Sequence, residues 1–134
     1  MPDAARETSG AVGVASYPYP APIDSYGNGG FRFAGMSHRG SLLFLPTGVF
    51  AWEVSDPTSL TLAMLLPVIG TLSAPGFLIL GTGQTQMFPS RDIRRAFLDR
   101  GLGLEPMDTG AACRTYNVLL AEKRPVAAAV IAVP

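Results

Sequence analysis

The spacing of apolar positions changes along the chain, and its first regular pattern is that of short strands. From Gly30 onward, apolar and polar residues alternate in Phe31-Arg32-Phe33, and further apolar runs cover residues 41–45 and 49–54. Glycine or proline separates these runs, which is typical of strands joined by tight turns. The pattern predicts three antiparallel strands over residues 30–54.

A longer apolar stretch, LTLAMLLPVIG at Leu60–Gly70, predicts a helix. Asp56 and Pro57 stand before it, where a carboxylate can accept the free amide hydrogens of a first turn and proline suits the first helical position. Because its apolar side chains lie on nearly all sides, we expect the sheet to cover one side and a partner another. The candidate interface residues are Leu62, Leu65, Leu66 and Ile69. The stretch is too short to cross a bilayer, whose hydrocarbon core is about 30 Å thick.

Strands and helices alternate in the rest of the chain. Phe77–Leu80 is a continuous apolar run, as expected of a strand covered on both faces. Ser90 can cap the following helix, and Asp108 or Thr109 can cap the next one. Strand, helix, strand, helix, strand requires two right-handed crossovers with parallel pairing. The further predicted strands cover residues 102–107 and 126–133.

These elements predict an α/β fold, a three-layer sandwich in which an N-terminal antiparallel β meander is followed by β-α-β-α-β with parallel strands. The 134 residues fit one domain of ordinary size. We place this single domain at residues 23–134. Residues 1–22 are rich in Ala, Pro, Gly and Ser, and we expect a flexible N-terminal segment there.

The Gly81-Thr82-Gly83 turn invites comparison with nucleotide-binding loops. A dinucleotide fingerprint requires a third glycine, and Gln86 stands in its place. A phosphate-binding P-loop is excluded because no Gly-Lys-Ser/Thr follows. The sequence therefore predicts no bound nucleotide and no other cofactor.

The same turn has a geometric consequence. Because carboxyl ends of parallel strands meet at one edge of a sheet, we expect Gly81, Thr82 and Gly83 to lie beside Asp108 and Thr109. Backbone amides and threonine hydroxyls at this rim could hold a small anion or the carboxylate of a partner. The other interpretation is that these residues only turn the chain and cap a helix.

Composition narrows the classes of function. Hydrophobic residues make up 48% of the chain, charged residues 15%, and the formal net charge is zero, which disfavours nucleic acid as a partner. One cysteine and one histidine cannot form a zinc site of the Cys/His type, and the lone cysteine is consistent with a reducing compartment. We expect His38 in an exposed hairpin turn. Cys113 either packs inward with Tyr116 or is activated near a helix start.

Two long segments carry a resemblance to a known family. GFRFAGMSHRGSLLFLPTGVFAWEV and GFLILGTGQTQMFPSRDIRRAFLDRGLGLEPMDTGAACRTYNVLLAEKRPVAAAVI resemble the family of mitochondrial respiratory complex I assembly factor 3 and its bacterial and archaeal relatives. The resemblance covers about residues 23–134. Its most specific pieces are Gly40-Ser41, Pro46 before Trp52, Leu80-Gly81-Thr82-Gly83, Thr109, Ala112, Thr115-Tyr116-Asn117 and Glu122.

The resemblance implies a three-layer α/β fold and, for the mitochondrial member, a non-catalytic role in building the NADH:ubiquinone oxidoreductase through protein contacts. Our leading hypothesis is a soluble protein-binding or assembly module, with complex I subunits or assembly machinery as partners and a homodimer through the apolar helix as a further option. No mitochondrial presequence is visible, so we expect a bacterial cytoplasmic protein, held near the inner membrane only through a partner. The alternative hypothesis is a small-molecule or anion-binding enzyme or sensor with its pocket at the rim of residues 81–83 and 108–109.

Overall fold

The computed structural model describes residues 16–134. A central five-stranded sheet has the order β5-β4-β8-β6-β7, and a separate three-stranded sheet has the order β1-β2-β3. The strands are β1 Ser25–Gly27, β2 Gly30–Phe33, β3 Met36–Arg39, β4 Ser41–Leu45, β5 Gly48–Trp52, β6 Phe77–Gly81, β7 Gly103–Met107 and β8 Val126–Val130. The α-helices are α1 Leu66–Thr71, α2 Arg91–Asp99 and α3 Thr109–Ala121, and two 3-10 turns cover Pro57–Ser59 and Leu62–Leu65.

The β-α-β-α-β unit has the predicted parallel pairing. Strand β6 pairs in parallel with both β7 and β8, so it lies between them, while β4 pairs antiparallel with β8 and β5. Ile93 and Phe97 of α2 pack on one face of the central sheet, and Tyr116 of α3 packs on the other. The two crossover helices therefore cover opposite faces, and the predicted three-layer sandwich is confirmed.

The antiparallel part is larger than predicted. The runs at residues 31–33, 41–45 and 49–54 correspond to β2, β4 and β5, but β1 and β3 were not predicted. Two-residue turns join β1 to β2 and β2 to β3, and the backbone φ angles are positive at both residues of each turn. Such turns fit the twist of antiparallel hairpins. His38 lies within β3, opposite Phe31, so its predicted place in an exposed turn is wrong.

The prediction of one helix over residues 60–70 is also wrong. The Asp56 side chain does cap a turn, accepting a hydrogen bond of 2.9 Å from the Thr58 amide. The chain is extended at Leu60, however, and α1 begins only at Leu66, next to Pro67. Proline inside a longer helix would clash with the preceding turn, so the helix starts beside it. Trp52 Nε1 donates to the Met64 carbonyl oxygen at 2.9 Å and holds the second 3-10 turn against the core.

The chain joins the folded unit before residue 23. Tyr17 pairs with Val49 at the edge of β5, and Ala21 is only 3% exposed. Residues 16–22, which fall within the expected flexible segment, therefore already contact the folded unit. The rest of the expected segment, residues 1–15, lies outside the described residues.

Candidate functional site

The predicted rim is present as a hydrogen-bonded junction between two loops. The Gly83 amide donates to Thr109 Oγ1 at 3.0 Å, and the Thr109 amide donates to the Gly83 carbonyl oxygen at 2.8 Å. Thr109 Oγ1 also donates to the Ile131 carbonyl oxygen at 2.7 Å, and the residue is fully buried. The Thr109 hydroxyl is thus used as both acceptor and donor within the protein.

Thr82 is bonded in the same way. Its hydroxyl donates to the Thr85 carbonyl oxygen at 2.7 Å and accepts from the Met87 amide at 3.0 Å, and the residue is 3% exposed. Asp108 caps α3, because its carboxylate accepts from the Ala111 amide at 2.9 Å. The turn-and-cap interpretation of the rim accounts for each of these bonds, and it leaves neither threonine hydroxyl to a ligand.

Space at the rim is also limited. Gly81 is buried, and a Cβ atom placed on it would lie 3.0 Å from Val130 Cγ1 and 3.2 Å from the Thr109 Cα. A Cβ atom on Gly110, in the first turn of α3, would collide with the Tyr26 hydroxyl. Tyr26 and the close approach of β6 to α3 therefore cover the start of this helix.

The candidate interface residues separate into two groups. Leu65 is fully buried in the core, so its assignment to an interface is wrong. Leu66 is 50% exposed, while Leu62 and Ile69 are partly buried against the core. The outward apolar surface of this region is therefore centred on Leu66.

Helix α2 also has an exposed side. The Leu62–Leu65 turn packs beside α2, whose buried side is formed by Ile93, Ala96 and Phe97. Leu98 in its last turn is 73% exposed. We call Leu66, Leu98 and the exposed α2 arginines, Arg91, Arg94 and Arg95, the helical face.

A polar depression lies elsewhere, on the small sheet. This groove, which we call the β1–β3 groove, has a volume of about 440 Å³. Arg32 is held within it by a hydrogen bond of 2.7 Å from Nη1 to Ser37 Oγ. The lining residues are Ser25, Tyr26, Gly27, Asn28, Gly30, Phe31, Arg32, Ser37, His38 and Arg39.

Cys113 has the environment of a core residue. It is 3% exposed and packs in the same cluster as Tyr116, as the inward-packing interpretation predicts. Burial raises the pKa of its thiol to about 12, with the Arg114 charge acting weakly in the opposite direction. The thiol therefore stays protonated at neutral pH, which does not suit a nucleophile.

Residues 16–134 contain no group of three or more His, Cys, Asp or Glu side chains placed to hold a metal ion. In the same part of the chain, no helix has the length and apolar character needed to cross a membrane.

Comparison with known proteins identifies the family. Residues 23–131 match the model of a family described as a protein of unknown function, DUF498/DUF598. The chain belongs to this family. An uncharacterized protein of Rhodobacter capsulatus is 37% identical over 113 residues, covering 84% of this chain and 86% of its own length.

Two further similarities connect the fold to named proteins. The zebrafish (Danio rerio) NADH dehydrogenase [ubiquinone] 1 alpha subcomplex assembly factor 3 is 30% identical over 129 residues, covering 96% of this chain and 74% of its own length. The crystal structure of an outer membrane protein from Bartonella henselae superimposes with a TM-score of 0.79 at 40% identity, covering 88% of this chain and 99% of that chain. The resemblance to the family of complex I assembly factor 3 is therefore confirmed.

Sequence reasoning missed the β1–β3 groove. Its two missed strands, Ser25–Gly27 and Met36–Arg39, contain few apolar residues, so alternation gives little signal. The Asn28-Gly29 pair was the available signal, since this dipeptide favours a two-residue hairpin turn. Asn117 was also missed as a structural residue: its side-chain amide bonds both the amide and the carbonyl of Ile23, each at 2.8 Å.

Proposed function

We propose that this protein is a non-catalytic protein-binding module that assists the assembly of respiratory complex I. The observation that carries the proposal is its 30% identity, over 96% of its length, to the zebrafish protein named as an assembly factor of this complex. An assembly factor acts through contacts with subunits or with other assembly proteins. The proposal therefore requires a surface suited to a protein partner.

The helical face is the surface that we propose for this contact. Exposed large apolar side chains occur at protein contact sites, and arginine is enriched in such sites. Leu66 and Leu98 are 50% and 73% exposed, and Arg91, Arg94 and Arg95 are exposed on the same helix as Leu98. Arg95 pairs with Asp99 at 3.3 Å, which leaves Arg91 and Arg94 without an ion pair among the described residues. The fitting partner is therefore an apolar surface that also carries acidic groups.

The test compares two variants, each of which replaces one exposed apolar residue by aspartate. Leu98→Asp places a carboxylate on the helical face, and Val118→Asp places one on α3, where Val118 is 57% exposed. Tagged proteins are recovered from gently solubilised native cells, and co-purifying complex I subunits are measured by mass spectrometry. We expect Leu98→Asp to lower their recovery at least tenfold and Val118→Asp to leave it unchanged.

A genetic measurement accompanies this experiment. In cells lacking the gene, native gels should show less assembled complex I, and the wild-type protein and Val118→Asp should restore it while Leu98→Asp should not. Normal complex I in the deletion strain contradicts the proposed function itself. Equal rescue by both variants contradicts only the choice of surface.

A further inference from the structure

The outer side of the small sheet presents a row of polar side chains. Cross-strand pairing places Ser25, Arg32 and Ser37 side by side, and all three are exposed. Neighbours of Arg32 along β2, Phe31 and Phe33, are 3% and 1% exposed and pack in the core. Because successive side chains of a strand point to opposite faces, Arg32 points away from the core and into solvent.

The next row has one arginine and two glycines. Gly30 pairs with Gly27 on one side and with Arg39 on the other. Arg39 is thus the diagonal neighbour of Arg32, at a separation of about 7 to 8 Å for such pairs. Gly30 is buried, and a Cβ atom on it would collide with the His38 carbonyl oxygen, so β2 and β3 approach closely at this row.

The ionisable side chains that line the groove include arginines and no carboxylate. Neither Asp nor Glu is among its lining residues, and neither Arg32 nor Arg39 forms an ion pair with a carboxylate of residues 16–134. Asp24 is the next acidic residue along the chain; its amide donates to the Arg32 carbonyl oxygen at 2.8 Å, but Asp24 is not a lining residue of the groove.

This arrangement suits an anion. Like charges at neighbouring positions of a sheet repel each other, and a bound anion removes that cost. Guanidinium groups present N–H donors in a planar fork that matches carboxylate and phosphate oxygens. The bond to Ser37 uses one Arg32 donor and holds the guanidinium group in place.

We propose that the β1–β3 groove binds a small oxyanion, a phosphate or carboxylate group, between Arg32 and Arg39. Ser37 is a positioning residue for Arg32. The groove is a different surface from the helical face, so this proposal does not depend on the proposed function.

The test is a titration of the full-length, isotope-labelled protein followed by ¹H–¹⁵N spectra. Inorganic phosphate and citrate are added separately, with sodium chloride adjusted to keep the ionic strength constant. We expect saturable shifts of the amide signals of residues 25–39 with at least one of the two anions. The apparent Kd should rise with added salt, because exposed charges are screened.

Three groove variants and one control variant test where the anion binds. Arg32→Gln and Arg39→Gln should each raise the apparent Kd about tenfold, which corresponds to about 1.4 kcal/mol. Arg91→Gln is the matched control, since Arg91 is an exposed arginine of α2 outside the groove. Ser37→Ala should raise the Kd by a smaller factor, and only when Arg32 is present. A spectrum of each variant without anion confirms that it is folded.

Each outcome bears on the proposal. Saturation with phosphate alone identifies a phosphate group, saturation with citrate alone identifies a carboxylate group, and saturation with both identifies a general oxyanion site. The proposal is overturned if neither anion shifts residues 25–39 more than sodium chloride does. It is equally overturned if Arg91→Gln weakens binding as much as Arg39→Gln.

Discussion

The rim and the β1–β3 groove both gather polar side chains, but they use them differently. At the rim, Thr82 and Thr109 are 3% and 0% exposed, and their hydroxyls bond to backbone groups of the protein itself. In the groove, Arg32 and Arg39 are exposed, and no carboxylate lines the depression. Polar groups that satisfy one another support the fold, whereas polar groups left facing water are available for binding.

The sharpest test of this contrast is Thr109→Val, which keeps the shape of the side chain and removes the hydroxyl. The Gly83 amide and the Ile131 carbonyl would lose their shared partner in a buried position. Each unsatisfied buried group costs about 1–3 kcal/mol, so for the two groups we expect a loss of about 2–6 kcal/mol in the free energy of unfolding. Urea unfolding followed by the fluorescence of the single tryptophan, Trp52, measures it.

Thr109→Ser is the matched control, because it keeps the hydroxyl and removes a methyl group. We expect a loss of about 1 kcal/mol from that methyl group. If Thr109→Val is as stable as Thr109→Ser, the hydroxyl does not hold the rim together, and the contrast with the groove fails.

A second substitution tests how tightly the rim is packed. Gly81→Ala adds a Cβ atom 3.0 Å from Val130 Cγ1 and 3.1 Å from the Ala112 Cβ. Overpacking of this kind costs about 1–3 kcal/mol. Gly70→Ala in α1 is the control, because its Cβ would have no heavy atom within 4 Å and alanine favours a helix by about 1 kcal/mol. The two changes should shift the urea midpoint in opposite directions.

The stability of the protein at alkaline pH depends on the buried Cys113 and Tyr116 side chains near the rim. Cys113 lies one turn after Thr109 in α3, and burial raises its pKa to about 12 from an ordinary value of 9.0. Above pH 9 the unfolded chain loses this proton while the folded protein keeps it, so stability falls as pH rises. The loss from Cys113 alone should reach about 1.4 kcal/mol by pH 10. Burial also raises the pKa of Tyr116, which adds to the loss at higher pH.

Urea unfolding at pH 7 and pH 10 measures this effect, and Cys113→Ala separates the contribution of the thiol. The variant should lose less stability between the two pH values than the wild-type protein does. An equal loss in both would show that Cys113 does not titrate as a buried group.

The parallel part of the fold was predictable because its signals are local and strong. Continuous apolar runs, helix caps at Ser90 and Asp108, and the handedness of crossovers determine the β-α-β-α-β unit. The small sheet was not predictable in this way, since β1 and β3 are short, polar and held by turn geometry. The helix at residues 60–70 is interrupted before Pro67, and the 3-10 turn that precedes it is bonded through the Met64 carbonyl to Trp52, a contact that apolar periodicity does not encode.

The residues that carry the family resemblance explain why it predicts fold better than function. Ser41 donates to the Val54 carbonyl and accepts from the Ala132 amide, so it joins two chain segments far apart in sequence. Asn117 binds the backbone of Ile23, and Thr109 joins Gly83 to the end of β8. These side chains make internal bonds. The candidate site could not be read from them, because the surfaces proposed for binding are formed by other residues.

The smallest expected effect on stability is that of Arg39→Gln, which tests the β1–β3 groove as Thr109→Val tests the rim. An exposed arginine without an ion pair among the described residues contributes little to folding, so we expect the free energy of unfolding to change by less than about 0.5 kcal/mol. Removing one of two neighbouring like charges favours a small gain over a loss.

Adding phosphate should change the stability of the wild-type protein more than that of the Arg39→Gln variant. A ligand that binds only the folded state stabilises it, so phosphate at constant ionic strength should raise the urea midpoint of the wild-type protein more than that of Arg39→Gln. A loss above 1 kcal/mol in Arg39→Gln without phosphate would give Arg39 a structural role like that of Thr109. The groove would then resemble the rim, with its polar groups serving the fold and not a ligand.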